Sequence, residues 1–301
     1  MNVIETINLS KSYGKVQALD AVSFAVERGE LFGLIGPDGA GKTTLFRLLT
    51  TLIRPDSGTA TVEGLDIVRN YRSIRERVGY MPGRFSLYPD LTVEENLSFF
   101  AALFGTRVAD SYELIAPIYR QIEPFRTRRA GKLSGGMKQK LALSCALIHR
   151  PSVLFLDEPT TGVDAVSRSE LWDMLAELKT KGITILVSTP YMDEAQRCDR
   201  IALCNEGRIM TINTPSEIAA DYGSDLYAIA ADNMFALLQA ARTATGVAEC
   251  YPFGDTHHLV ADADFDADRF VSEMQSRMIQ NARIERCRPT IEDVFIKLMQ
   301  K

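Results

Sequence analysis

The sequence has no long apolar run, no paired cysteines and no excess of positive charge. No stretch approaches the ~20 consecutive apolar residues that span a bilayer, so if the chain works at a membrane another polypeptide supplies the spanning helices. Five cysteines (Cys145, Cys198, Cys204, Cys250 and Cys287) are scattered without a C-x-x-C pair, the pattern of reduced thiols in a cytosolic protein. The formal net charge of -5 argues against a nucleic-acid surface, because phosphate backbones demand clustered Lys and Arg. One local basic cluster, Arg126, Arg128, Arg129 and Lys132, reads as the solvated end of a helix. Met1 leads straight into a polar, strand-like stretch, so no secretory signal is expected. Internal repeats and low-complexity segments are absent.

What is present is an ordinary globular composition, 46% hydrophobic and 24% charged over 301 residues. That length suits one large domain with a small one, or two medium domains. Val3 to about Val26 alternates apolar and polar residues around Gly14 and predicts short strands and a turn. Leu31–Ile35 predicts a buried strand that runs through a glycine-rich loop into a helix over Thr43–Leu52. From about 86 to 150 the pattern is helical, with Asn96, Leu97, Phe99, Phe100 and Leu103 on one face and a helix at Lys138–Leu147. Buried strands at Val153–Leu156 and Ile183–Val187 flank a helix at Ser167–Lys181, which implies a mostly parallel sheet covered on both faces. After Gly223-Ser224 the order strand, helix, two strands, helix, strand predicts a small β-α-β-β-α-β domain with a closing helix. The expected domains are therefore 1–222 and 223–301, the first α/β and the second α+β and ferredoxin-like.

Three motifs carry chemistry. Gly36-Pro37-Asp38-Gly39-Ala40-Gly41-Lys42-Thr43-Thr44 fits G-x-x-x-x-G-K-[ST] with the strand and helix flanks such a loop requires. Glycines let successive N–H groups turn inward on phosphate oxygens, Lys42 reaches the β- and γ-phosphates, and the Thr43 hydroxyl ligates Mg²⁺. Asp157-Glu158 follows a buried strand, at the end where open α/β sheets bind ligands. There Asp157 would hold the Mg²⁺ shell, and Glu158 would polarise the attacking water, with Lys42 as the other catalytic group. Leu133-Ser134-Gly135-Gly136-Met137-Lys138-Gln139 opens a second helix whose free N–H groups suit another phosphate. One chain rarely needs two anion cradles unless the second serves a nucleotide held by another subunit.

With these residues the chain resembles the ATPase domains of ABC transporters, and more narrowly those of ABC-2-type exporters. The resemblance covers essentially the whole chain. It takes in Tyr13 within Lys11-Ser12-Tyr13-Gly14, where the family stacks adenine, and Asp164 within Thr161-Gly162-Val163-Asp164, similar to the family's dimer-contacting loop. It extends to Arg288-Pro289-Thr290-Ile291-Glu292-Asp293-Val294-Phe295, which looks like the common ABC-2 ending. The resemblance implies a P-loop NTPase core with N-terminal antiparallel strands and a helical subdomain. It also implies ATP and Mg²⁺ as cofactors, a head-to-tail dimer with a second ATPase domain, and a transmembrane permease. The chain would then sit in the cytoplasm, held at the inner face of the cell membrane by that permease. Phe85–Leu91 is the surface expected to meet the permease, and the small domain is expected to serve structure or dimerisation.

Two positions depart from the pattern. Gly83 stands where the family has a Mg²⁺-touching glutamine, and Pro190 where a histidine contacts the γ-phosphate. His149, His257 and His258 lie elsewhere, and His149 is expected to end a helix. Slow turnover at this chain's own site is the expectation. A soluble ABC protein acting on ribosomes or DNA, or a nearly inactive nucleotide sensor, are the rival readings. The first usually carries two cassettes and a basic arm, and this sequence has neither.

Overall fold

The computed structural model describes residues 1–300, which form two compact units, 1–215 and 216–300. The division falls ahead of the boundary expected at 222.

The first unit opens with the hairpin β1 (Asn2–Tyr13) and β2 (Val16–Glu27), followed by β3 (Leu31–Ile35) and α1 (Lys42–Leu49). β4 (Ser57–Val62) and β5 (Leu65–Asp66) come next, then α2 (Tyr71–Arg75) and β6 (Val78–Met81). A helical stretch holds α3 (Val93–Leu103), α4 (Val108–Tyr119) and α5 (Gly135–Leu147). β7 (Val153–Asp157), α6 (Ala165–Thr180), β8 (Thr184–Thr189), β9 (Arg200–Asn205) and β10 (Arg208–Asn213) complete it.

The strands make two sheets, an antiparallel one ordered β2-β1-β4-β5 and a six-stranded one ordered β10-β9-β3-β8-β7-β6. In the second, only β10 runs antiparallel to its neighbour. β3 and β7 are buried at all five positions, as strands covered on both faces must be, and so carry no polar alternation. Register aligns Ile35 with Thr189 and Ser188 with Asp157, so the C-terminal ends of β3, β8 and β7 lie level. That rim is where the predicted loop and the predicted carboxylates emerge.

In the helical stretch, Thr92 and Glu95 form a capping box that starts α3. The predicted apolar face of α3 is divided. Asn96 and Leu97 are buried, whereas Phe99 and Leu103 are exposed, because Val93 and Ala101 complete the inward stripe instead. The basic cluster is also not at the end of an α-helix. Arg126 to Lys132 lies on the connection between α4 and α5, where Arg126 follows one short 3-10 turn (Glu123–Phe125) and Lys132 ends another (Ala130–Lys132), with Arg128 over the Phe125 ring at 4.6 Å. Among the described residues no helix is long and apolar enough to cross a membrane.

After α7 (Pro215–Ala220), the second unit runs β11 (Leu226–Ala230), α8 (Met234–Ala241), β12 (Val247–Phe253) and β13 (Thr256–Ala261). α9 (Ala267–Ser276), β14 (Arg283–Cys287) and α10 (Ile291–Met299) follow. The sheet order β12-β13-β11-β14, antiparallel throughout, is the ferredoxin-like arrangement. Leu237, Leu259, Phe270 and Met274 form its core. Alternation sends Tyr251 and His258 to the opposite face, where both bond Asp293 at the start of α10, the Tyr251 hydroxyl at 2.8 Å and His258 Nδ1 at 2.6 Å. Thr290 and Asp293 also make a capping box, so the tail motif both starts α10 and fastens it to the sheet.

Burial works to raise the Asp293 pKa, but bonds from His258, Thr290 and Tyr251 hold it below the usual carboxylate value. Its contribution to stability is therefore complete above an unfolded value of about 3.9 and is lost as pH falls through the lower folded value. Asp293→Ala is expected to cost about 2–4 kcal/mol, since it leaves the buried Tyr251 and His258 groups without their acceptor. Calorimetry near neutrality and in acid checks this: the variant should melt earlier at neutrality and lose less than the parent on acidification. An unchanged neutral melt would refute it.

Candidate nucleotide site

The loop between β3 and α1 passes so close to its neighbours that two of its glycines are obligatory. A Cβ on Gly36 would fall 2.1 Å from the Cys204 carbonyl oxygen, and one on Gly41, at φ +93°, would fall 2.4 Å from the Ala18 oxygen. Gly41 caps α1 with no side-chain hydrogen bond, so the first N–H groups of that helix keep their capacity for an anion. Asp38 and Gly39 are exposed at the loop tip, and Pro37, Thr43 and Thr44 are half-buried. Ala40 is buried.

Lys42 is only 4% exposed and its ammonium is fully occupied. Nζ donates to the Gly36 oxygen at 2.7 Å and to the Pro37 oxygen at 3.0 Å, and pairs with Glu158 Oε1 at 3.2 Å. A buried ammonium demands such partners, and all three are oxygens gathered where a phosphate group would also be attracted. Asp157, 2% exposed at the end of β7, accepts at Oδ1 from the Ser188 hydroxyl at 2.8 Å. Glu158 adopts a left-handed backbone, φ +50°, and its N–H donates to both the Ser188 hydroxyl (3.0 Å) and the Ser188 carbonyl (3.1 Å). The sheet thus brings Lys42, Asp157 and Glu158 together from distant segments. Burial and then the nearby Asp157 charge push the Tyr80 phenol up to about 12, so it stays neutral beside them.

Thr43 and Asp157 offer hard oxygen donors, and among the described residues no group of three or more His, Cys, Asp or Glu could hold a metal alone. That donor set fits Mg²⁺, which is held by one or two protein oxygens together with substrate phosphates.

The two departures from the expected pattern flank this site. A Cβ on Gly83 would lie 3.0 Å from the Asp157 carbonyl oxygen and 3.7 Å from Glu158 Cβ. Pro190 follows β8 directly, one residue beyond Thr189. Beyond it, Glu194 is 2% exposed and gathers the Thr160 hydroxyl (3.0 Å), the Thr189 hydroxyl and Arg168 (3.0 Å). Sequence reasoning missed this buried carboxylate, because one acid within a short polar turn has no periodic signature.

The second predicted anion cradle lies elsewhere. Ser134 caps α5, its hydroxyl accepting from the Met137 N–H at 3.4 Å. A Cβ on Gly136 would strike the Ser167 hydroxyl at 2.6 Å, and one on Gly135 would stand 3.1 Å from the Gly162 oxygen. Leu133–Gln139 therefore packs on the segment containing Asp164, which caps α6 by accepting from the Ser167 N–H at 3.0 Å. Among the described residues no hydrogen bond or ion pair links Leu133–Gln139 to Gly36–Thr44. Tyr13 is 46% exposed at the tip of the β1–β2 hairpin, the hairpin that Gly41 touches through Ala18.

Next to this rim the first unit has an apolar groove of about 630 Å³. Met81 and Pro82, just ahead of Gly83, form one wall, and Phe100, Leu103, Phe104 and His149 another. His149 does follow a helix, lying two residues beyond α5. Its ring stacks on Phe104 at 3.8 Å and bonds the Val78 oxygen through Nε2 at 3.1 Å, and burial lowers its pKa. It serves the groove and not the carboxylate pair. Phe85 and Tyr88 are exposed nearby in sequence, while Leu87 is buried and lines the groove.

Residues 19–161 match the ABC transporter family. The chain is 43% identical over 225 residues to the probable multidrug ABC transporter ATP-binding protein YbhF of Escherichia coli (strain K12), covering 74% of this chain and 39% of that protein. It thus spans about two fifths of that relative's length. It is 38% identical over 301 residues to the Nod factor export ATP-binding protein I of Paraburkholderia xenovorans (strain LB400), covering 98% of this chain and 96% of the relative. A solved ATP binding subunit of an ABC transporter superposes with TM-score 0.67 at 31% identity, covering 73% of this chain and 93% of the other.

Proposed function

Because the chain belongs to the family of ABC transporter ATP-binding proteins, we propose that it is the ATP-driven motor of an export complex, with slow hydrolysis at its own site. The observation that carries this reading is the convergence of Lys42, Asp157 and Glu158 beside the start of α1, whose first N–H groups take no side-chain cap. In this assignment Gly36–Thr44 wraps the phosphates, Thr43 and Asp157 hold Mg²⁺, and Tyr13 meets the adenine. Glu158 polarises the attacking water, and bound Mg²⁺ offsets charge on the phosphates.

The distance in sequence and in bonding between the two anion cradles supports a head-to-tail pair. Leu133–Gln139 and Asp164 of one subunit would then close over nucleotide held by the other. Contacts from the opposing Leu133–Gln139 segment to the γ-phosphate exist only in the closed pair, so ATP binding draws the domains together and phosphate release lets them part. Gly83 and Pro190 remove two polar contacts from this chain's own site, which favours a pairing in which a different ATPase domain performs most of the hydrolysis.

Export is supported by the names of the relatives, which refer to multidrug transport and to Nod factor export. The groove beside Gly83 suits a short apolar helix from a permease: it is open, apolar, and adjacent to the nucleotide rim. Tagged chain extracted in mild detergent from its own host is expected to bring down a polytopic membrane protein. Leu103→Arg, at a position 64% exposed, should remove that protein without unfolding the chain. Sedimentation with ribosomes and no membrane partner would overturn the assignment.

A further inference from the structure

The Ser188 side chain is fully buried one residue before the end of β8, opposite Asp157 on β7. Its hydroxyl donates to Asp157 Oδ1 at 2.8 Å and accepts the Glu158 N–H at 3.0 Å. One small group therefore touches both members of the acidic pair. It fixes which oxygen of Asp157 is engaged inside the sheet and which remains for the rim. It also supports the left-handed turn at Glu158, a conformation that costs a side-chain-bearing residue energy and persists only when its surroundings enforce it.

We propose that Ser188 is a positioning residue for the magnesium–nucleotide site, holding Asp157 in the orientation that accepts the cation and Glu158 in the turn that faces the phosphate. The proposal rests on the nucleotide reading above and extends it to a residue outside the three recognised motifs. A hydrogen bond to an ionised carboxylate is among the stronger ones, and its loss frees the carboxylate to rotate. Among the described residues no hydrogen bond joins the Ser188 side chain to Gly36–Thr44, so nucleotide affinity without metal should be independent of it.

The test uses the full chain with ATP and Mg²⁺ as probes, by calorimetric titration. Ser188→Ala is expected to leave ATP affinity in excess chelator within about twofold of the parent. The apparent Mg²⁺ affinity of the ATP-loaded protein should weaken about tenfold, the size of one such bond. Ser188→Thr keeps the hydroxyl and should restore Mg²⁺ affinity to within about threefold. On an Asp157→Asn background, Ser188→Ala should add nothing, because the two act through one oxygen. If Ser188→Ala does not fold, Ser188→Cys replaces it, keeping a side chain of similar size with a weak donor. Unchanged Mg²⁺ affinity in either variant overturns the proposal, as does an equal loss with and without Mg²⁺. If Asp157→Asn itself leaves Mg²⁺ affinity unchanged, the reading of the site fails and the proposal with it. A silent Ser188 beside a sensitive Asp157 sinks the proposal alone.

Discussion

Lys42→Ala is expected to weaken ATP binding by at least about a hundredfold. Among the described residues the ammonium is the only cation placed among the Gly36 and Pro37 oxygens and Glu158, and it lies at the start of α1 where the phosphates are expected. Alanine removes its charge and leaves Glu158 facing the phosphates unneutralised. Lost attraction and added repulsion act in the same direction, each worth more than at an exposed site because Lys42 is 4% exposed. Equilibrium titration with ATP and Mg²⁺ measures the effect, and a thermal melt controls for folding. Binding within threefold of the parent would sink the phosphate-loop assignment. Lys42→Arg is a useful companion, because it preserves charge in a cavity shaped for a single ammonium and should recover little.

Restoring the two missing side chains should accelerate hydrolysis. Pro190→His supplies a polar group one residue beyond Thr189, and Gly83→Gln supplies one beside the Asp157 carbonyl. Removing a single preorganised donor typically costs about 10²–10³ in rate, so regaining one should return a gain of about that order. The histidine should contribute more of it. Proline both lacks an N–H and fixes φ, so its replacement adds a side chain and frees the backbone. The glutamine meets resistance, since its Cβ would lie 3.0 Å from the Asp157 oxygen and the segment after Met81 must yield by a few tenths of an ångström. Steady-state ATPase of Pro190→His, Gly83→Gln and the double variant measures the gain, and adding Glu158→Gln should abolish it. A parent chain already as fast alone as the double variant would remove the case for an impaired site.

Much of this was legible in the sequence for one physical reason: continuous apolar strands and glycine loops have signatures that do not depend on distant neighbours. Leu31–Ile35 is bounded to the residue because a short apolar run meets Glu30 at one end and Gly36 at the other. The order of elements in the second unit followed from alternation and helical period alone. Contacts across the fold were not legible. Periodicity placed Phe99 and Leu103 on the inner face of α3, but it could not see that Val93 and Ala101 fill the space there. A charge count saw a basic cluster, yet it could not distinguish a helix end from the turned connection between α4 and α5. Ser188 and Glu194 are ordinary polar residues in sequence and acquire meaning only from what β7, α6 and Thr160 bring beside them. The tail motif was recognisable as a motif, but its work, seating Asp293 under Tyr251 and His258, required the third dimension.

The ion pair between Lys42 and Glu158 has a further consequence. The loop does not present a bare positive well, since its lysine already pairs with an anion of the chain's own. An arriving triphosphate must evict that incumbent, so binding is an exchange of one carboxylate for a phosphate. In the function proposed above, where Glu158 polarises water, eviction would free it for that role only while nucleotide is bound. On that reading, the pair that neutralises Lys42 would also time the moment at which the base is available.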